Sequence, residues 1–180
     1  EGMRQQLAEV DAIANDPAAP AFENTYVALE KTGTLLYRVM AVFNGVSGAN
    51  TNDTLQALQE TEAPKLAAHQ DAIYLNDKLF QRIDAVYNER AKLKLDPESL
   101  RLVEVVHANF VRAGAKLSAA DKAKLEALNK EESSLSAGFV NKLLAAAKAG
   151  ALVVDDKAKL AGASEADLAA AAQAAKDRKL

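Results

Sequence analysis

The sequence has no cysteine and no tryptophan. Without cysteine there is no disulfide framework, no thiolate nucleophile and no thiolate metal site. Aromatic residues make up 5%, and only eight glycines and four prolines occur in 180 residues. Scarce turn-formers and abundant alanine, leucine and charge describe a helix-rich chain. No charge of one sign dominates: 22 Lys and Arg stand against 25 Asp and Glu, a net charge of -3. The signs are interleaved and no basic block occurs, which argues against a nucleic-acid partner. No apolar run approaches the ~20 residues of a membrane span, and no segment reads as a signal peptide. The setting expected from these features is soluble and cytoplasmic. The length suffices for one well-buried core.

What is present is helical periodicity. The longest uninterrupted pattern runs from Ser118 to Gly150. It opens on Ser118 with Asp121 three residues on, a pair that caps a first turn. Leu125, Leu128, Leu135, Phe139, Leu143 and Ala146 then recur at helical spacing, with Glu132 interrupting the row. These side chains share one stripe, and a helix of about 30 residues runs roughly 45 Å. The expectation is a long spine helix over 118–149 that other helices cover.

Other helices are marked before it. Leu7, Val10 and Ile13 define a first one, ended by Asn15-Asp16-Pro17, since proline biases the preceding residue away from helix. Phe22, Tyr26, Leu29, Gly33, Leu36, Met40 and Phe43 alternate steps of four and three, and predict one helix from Phe22 to the region of Val46. Gly33 on that seam costs about 1 kcal/mol of propensity and is expected to admit a close neighbour. A third helix follows Thr51-Asn-Asp53 and is expected to kink or split at Pro64. Asn76-Asp77 caps a fourth, with Leu79, Phe80, Ile83, Val86, Tyr87 and Leu93 inward. Asp96-Pro97-Glu98 is a strong start for a fifth. After Gly150, Leu152–Val154 reads as a short strand too brief to stand alone, whose partner is expected beyond Leu180. Ser164 and Asp167 box the start of a last helix. The fold class is all-α: a bundle of about seven helices with one spine and an isolated strand, in a single helical domain over 1–180.

Few residues suggest chemistry. His69 and His107 are the only histidines. Glu104 and His107 have the Glu-x-x-His spacing of carboxylate di-iron bundles, but such a site needs a second copy of that motif. Leu66 stands where the second glutamate would precede His69. Both histidines therefore read as helix residues at the core edge, bonded to a carbonyl or water. No His-Glu-x-x-His and no glycine-rich phosphate loop occurs. Glu132 reads as a groove-rim residue. Ser133, Ser134 and Ser136 have no nearby base in sequence. No catalytic, cofactor-binding or metal residue is assigned.

Several strings, taken together, resemble one family. They are Glu1-Gly-Met3, Phe22-Glu-Asn-Thr25 with Ala28-Leu-Glu30, Thr51-Asn-Asp53 and Ile73-Tyr-Leu-Asn76. They continue with Arg101-Leu-Val-Glu-Val105, Ala113-Gly-Ala-Lys-Leu117 and Ala120-Asp-Lys-Ala-Lys-Leu125. Leu143-Leu-Ala-Ala146, Gly150 with Leu152-Val-Val154, and Leu160-Ala-Gly162 complete the set. In order and extent these resemble the zinc peptidases of the thimet oligopeptidase and oligopeptidase A family, most closely its peptidyl-dipeptidase (Dcp) branch.

The resemblance implies a fragment: the N-terminal helical region of a zinc metallopeptidase that removes C-terminal dipeptides from short peptides. In that family the zinc site, His-Glu-x-x-His and a later Glu, lies in the C-terminal part, and none of it is in this sequence. Zinc is expected in the parent, and the segment alone is expected to be inactive. Its expected partners are the missing catalytic half, which it contacts as one wall of a substrate channel, and short peptides in the parent. Both ends read as interior to a longer chain. The isolated segment is expected to expose an apolar patch and to self-associate. The alternative is a stand-alone helical interaction module without activity.

Overall fold

The computed structural model describes residues 1–178, and all regular structure in them is helical. There are seven α-helices of 13 residues or more. They are α1 Gly2–Ala14, α3 Thr34–Ala49, α4 Asp53–Tyr74, α5 Asp77–Glu89, α6 Pro97–Arg112, α7 Ala119–Ala149 and α8 Glu165–Asp177. A π-helical stretch Phe22–Val27 leads into the three-residue α2, Ala28–Glu30, and a 3-10 turn spans Lys157–Leu160. No helix is long and apolar enough to cross a membrane among the described residues. The chain forms two compact units, residues 1–139 and residues from Val140 onward.

The first unit is organised around α5. Leu79 and Ile83 are completely buried, with Phe80 and Val86 beside them. Val10 and Ile13 of α1, Tyr26 of the π-helical stretch, Ile73 of α4, and Val103 and Phe110 of α6 complete the core. The hydrogen bond from the Tyr26 hydroxyl to the Ile83 carbonyl, 3.0 Å, satisfies the one polar atom that this aromatic carries inward. Burial, with the nearby Asp84 charge second, pushes the Tyr26 hydroxyl far above its ordinary ionisation range. Arg82, on the same helix, is 6% exposed. Its guanidinium donates to the carbonyls of Asp16 and Ala18, both at 2.9 Å, and fastens the loop after α1 onto α5.

The sequence-marked helix starts are formed by the residues that mark them. Asn52, Asn76 and Asp96 accept from backbone amides of their own first turns. At the head of α7 the Ser118 hydroxyl accepts from the Asp121 amide and donates to the Asp121 carboxylate, and Ser164 and Asp167 close a full capping box at the head of α8.

Five expectations need correction. The helix expected from Phe22 to Val46 is interrupted at residues 31–33, because Gly33 takes a left-handed φ of 74°. There its amide donates to Glu9 Oε2 at 2.8 Å, and a Cβ at this position would come within 2.4 Å of the Gln6 side chain. The close approach is to a side chain of α1. Pro64 lies inside an unbroken 22-residue α4. Leu93 lies beyond α5 and is 38% exposed.

The fourth correction concerns α7. The helix has its full length, 31 residues, but it is not a covered spine: Leu128, Leu135, Phe139 and Leu143 all stand exposed. In the first unit α7 is anchored near its start, where buried Lys122 donates to the Leu75 carbonyl at 3.0 Å and pairs with Asp77. Leu152–Val154 forms no strand; residues 151–156 carry no regular structure. A strand requires a paired ladder, and no described segment provides one.

Gly33→Ala is expected to destabilise the protein by about 1–2 kcal/mol or more, since a left-handed alanine is strained even before the Gln6 contact is counted. Urea unfolding of the two proteins measures it, and an unchanged midpoint would count against the close packing of α1 on this turn.

Candidate interface and the placement of the singled-out residues

The largest chemical feature of the first unit is apolar surface left open. On α3, Tyr37, Val39, Val42 and Val46 are exposed, Tyr37 at 75% and Val42 at 68%. Val39, Val42 and Val46 follow one another at three- and four-residue steps, so they share a face. Beside them a groove of about 430 Å³ lies between α3 and α4, lined by Met3, Leu36, Met40, Phe43, Leu58 and Leu66. The seam found in the sequence from Leu36 to Phe43 therefore lines an open groove. Leu128, Leu135 and Phe139 add exposed apolar positions on α7. Apolar surface of this extent marks a contact site more often than bare solvent.

A smaller groove, about 300 Å³, is mixed in character, with Leu125 among polar side chains. Gln70, Asp71, Tyr74, Arg112, Asn129 and Glu132 line it. Asp71 is 8% exposed; one carboxylate oxygen accepts from Asn129 Nδ2 at 2.7 Å and the other is buried without a partner. Glu132 is an exposed member of this groove and accepts from the Ser136 hydroxyl at 2.6 Å, in keeping with a rim position. Asp71 carried no signal in the sequence, because its one distinguishing property is the α7 side chain that meets it.

The two histidines are placed separately. His69 is 8% exposed on α4 and its Nε2 lies 2.8 Å from Gln6 Oε1 on α1. Its Nδ1 is buried without a partner. Burial holds the imidazole below its ordinary pKa of 6.5. His107 pairs with a carboxylate, where a carbonyl or water was expected: its Nε2 is 2.8 Å from Asp84 Oδ1 on α5. The ring stacks on Tyr87 with centroids 3.7 Å apart and planes at 4°. Partial burial raises the Asp84 carboxyl, but the hydrogen bonds from His107 and Asn88 with the Lys116 charge outweigh it, and the net direction is downward.

Glu104 is paired with Arg101 at 3.1 Å instead of joining His107. Ser133 and Ser134 donate to the Lys130 carbonyl within their helix. Among the described residues no three His, Asp or Glu side chains converge on a point where a metal ion would sit. The described side chains therefore offer no set of three or four ligands such as a zinc ion takes.

Against this geometry, the relatives of the chain fall in one class, dipeptidyl carboxypeptidases. All 180 residues align with the dipeptidyl carboxypeptidase of Escherichia coli (strain K12) at 53% identity and with that of Salmonella typhimurium at 52%. In both cases the chain spans 26% of the relative's length. No protein-family model matches the sequence. The chain is thus homologous, end to end, to a quarter-length segment of dipeptidyl carboxypeptidases, in agreement with the resemblance carried by its sequence strings.

Stability is expected to fall on acidification in two windows. His69 is held below 6.5, so below that pH the unfolded chain binds the extra proton and stability is lost as pH falls toward the folded value. His69→Gln should flatten this slope. Asp84 is held below its ordinary 3.8, so its contribution is present above that pH and lost as pH falls through the lower folded value. Asp84→Asn should flatten that part alone. Urea midpoints from about pH 3 to 8 test both, and identical slopes in wild type and variants would contradict the assignments.

Proposed function

We propose that this chain is the N-terminal, non-catalytic segment of a cytoplasmic zinc metallopeptidase that removes C-terminal dipeptides from short peptides. It forms part of the wall of the substrate channel and packs on the catalytic half of the same protein. The observation that carries this reading is identity of 53% over the whole chain to a segment spanning 26% of a dipeptidyl carboxypeptidase. A likeness without gaps in coverage, to a part of a much longer protein, supports a shared place in that protein.

The open apolar surface supports the same reading. The α3 face and the groove beside it are the kind of surface that a second half of the protein covers, and each apolar Å² removed from water contributes roughly 25 cal/mol. Zinc in the parent is held by residues outside this segment, where it would polarise the scissile carbonyl and activate water. The role of these 180 residues is to shape access: they act as one helical part, carry no ligand or catalytic side chain, and restrict the channel to short, unstructured peptides. A stand-alone interaction module is the second reading, favoured by the same exposed α3 face.

Two measurements separate them. The gene is expected to continue in frame beyond the codon for Leu180 and to encode His-Glu-x-x-His with a later glutamate. The full-length product should release C-terminal dipeptides and lose that activity with a chelator, while residues 1–180 alone show none. A stop codon at this point would sink the peptidase reading and leave the module.

The separated segment should bind a hydrophobic dye and self-associate with rising concentration. Val42→Lys combined with Val46→Lys should reduce both. Monomeric sedimentation of the unmodified segment without dye binding would contradict an uncovered contact face.

A further inference from the structure

The mixed groove between α4 and α7 holds a carboxylate that the fold leaves half answered. Asp71 is 8% exposed, and its Oδ1 accepts from Asn129 Nδ2 at 2.7 Å. Its Oδ2 is buried with no partner. Helical spacing sets the neighbours. Asp71 and Tyr74 fall within one turn of α4, while Leu125, Asn129 and Glu132, at steps of four and three, share a face of α7. Arg112, the last residue of α6, lines the groove with them.

A carboxylate taken out of water is destabilised unless hydrogen bonds and an opposite charge answer it. One neutral amide is a partial answer, and the cations of the chain do not supply the rest. Lys122, one turn before Leu125, is committed to the Leu75 carbonyl and to Asp77. Among the described residues no ion pair joins Arg112 to Asp71 or to Glu132. The groove thus sets two carboxylates against one guanidinium, and its balance favours a further cation.

Its size and walls select the class of cation. A volume of about 300 Å³ suits a small organic group. A hard metal ion such as Ca²⁺ takes roughly six to eight oxygens, and no three acidic or histidine side chains converge among the described residues. A cation that carries N–H donors needs less: one charge-assisted hydrogen bond to Asp71, with the second carboxylate close by. Leu125 and Tyr74 provide apolar surface for its carbon stem. The terminal torsion of an aspartate is soft, so a turn of the Asp71 carboxylate presents Oδ2 to the groove.

We infer that this groove is a binding site for an alkylammonium or guanidinium group, with Asp71 as the anchoring carboxylate and Glu132 as the second anion at its rim. The group comes either from a free small amine or from a lysine or arginine elsewhere in the parent. Only the second source rests on reading the chain as a segment of a longer protein. The bond from Asn129 holds the carboxylate in place, and Arg112 sets a limit on how strongly the site attracts cations.

Titration with methylguanidinium and with n-butylammonium, followed by the side-chain amide resonance of Asn129, tests it. Tetramethylammonium, equal in charge but without an N–H, is the control. On the 180-residue chain both probes should shift that resonance saturably, and the control should not. Asp71→Asn should weaken binding ~10-fold or more, the effect of losing a hydrogen bond to a charged group. Glu132→Gln should weaken it less, and Arg112→Gln should strengthen it by removing a like charge. These two surface variants keep the test decisive if Asp71→Asn fails to fold. The full-length parent separates the sources. Equal binding there supports the site as one for a free amine. Binding by the 180-residue chain but not by the parent supports it as one filled by the parent's own lysine or arginine. An equal shift with tetramethylammonium, unchanged affinity in the variants, or no binding by the 180-residue chain would overturn the inference. A parent without peptidase activity would sink the peptidase reading and leave the titration of the 180-residue chain standing.

Discussion

Burial of the Arg82 guanidinium is the constraint on which the first unit depends. Taking a cation out of water costs several kcal/mol unless its donors are met. The carbonyls of Asp16 and Ala18, with the Asp16 carboxylate at 3.4 Å, meet the Nη donors of Arg82, and only its Nε is left buried without a partner. The loop that provides them joins α1 to the π-helical stretch, so one side chain sets where two elements lie on α5. Tyr26 then fits against the same helix, one residue further on, through the Ile83 carbonyl. With α1 and Tyr26 placed, the apolar rows of α4 and α6 have one remaining surface to pack on. A second buried cation, Lys122, repeats the device on a smaller scale by tying the start of α7 to the end of α4.

These polar anchors have a common form. Arg82 and Lys122 are buried donors whose acceptors are a carboxylate and backbone carbonyls at a helix end or in a connecting loop, carbonyls that otherwise lack partners. They hold the helices at their ends and leave their flanks free. That is why α3, fixed at its start by Glu9 and Gly33, presents an exposed row of valines instead of closing the bundle. It is also why α7 is fixed near Lys122 and bare further on. A segment arranged this way has surplus apolar surface by construction, in accord with its homology to one quarter of a longer enzyme.

The histidines illustrate how chemistry-bearing residues are absorbed into packing. His107 has a carboxylate partner and an aromatic stack, the geometry of many catalytic imidazoles, yet Asp84, Tyr87 and Phe80 surround it within the α5–α6 contact. Its side chain is 10% exposed and its role is to join two helices. His69 does the same between α4 and α1.

Local signals in the sequence determined the helix starts and most of the helical faces. Asn52, Asn76, Asp96 with Pro97, Ser118 and Ser164 act on amides two or three residues away, so their effect is legible in a short string. The row of Leu79, Ile83 and Val86 is legible for the same reason, as helical periodicity. Tertiary structure alone decided which rows are covered. The α5 and α7 stripes read alike as patterns, but α5 is enclosed and α7 is largely bare, because coverage depends on partners far away in sequence. The break at Gly33 was equally hidden: glycine permits a left-handed turn, but Glu9 and Gln6, a full helix earlier, select it. Nothing local marks Arg82, Lys122 and Asp71 as buried; the fold brings Asp16, Leu75 and Asn129 against them. A side chain's neighbours across 45 to 66 residues of chain are set by how helices dock, and no local pattern encodes them.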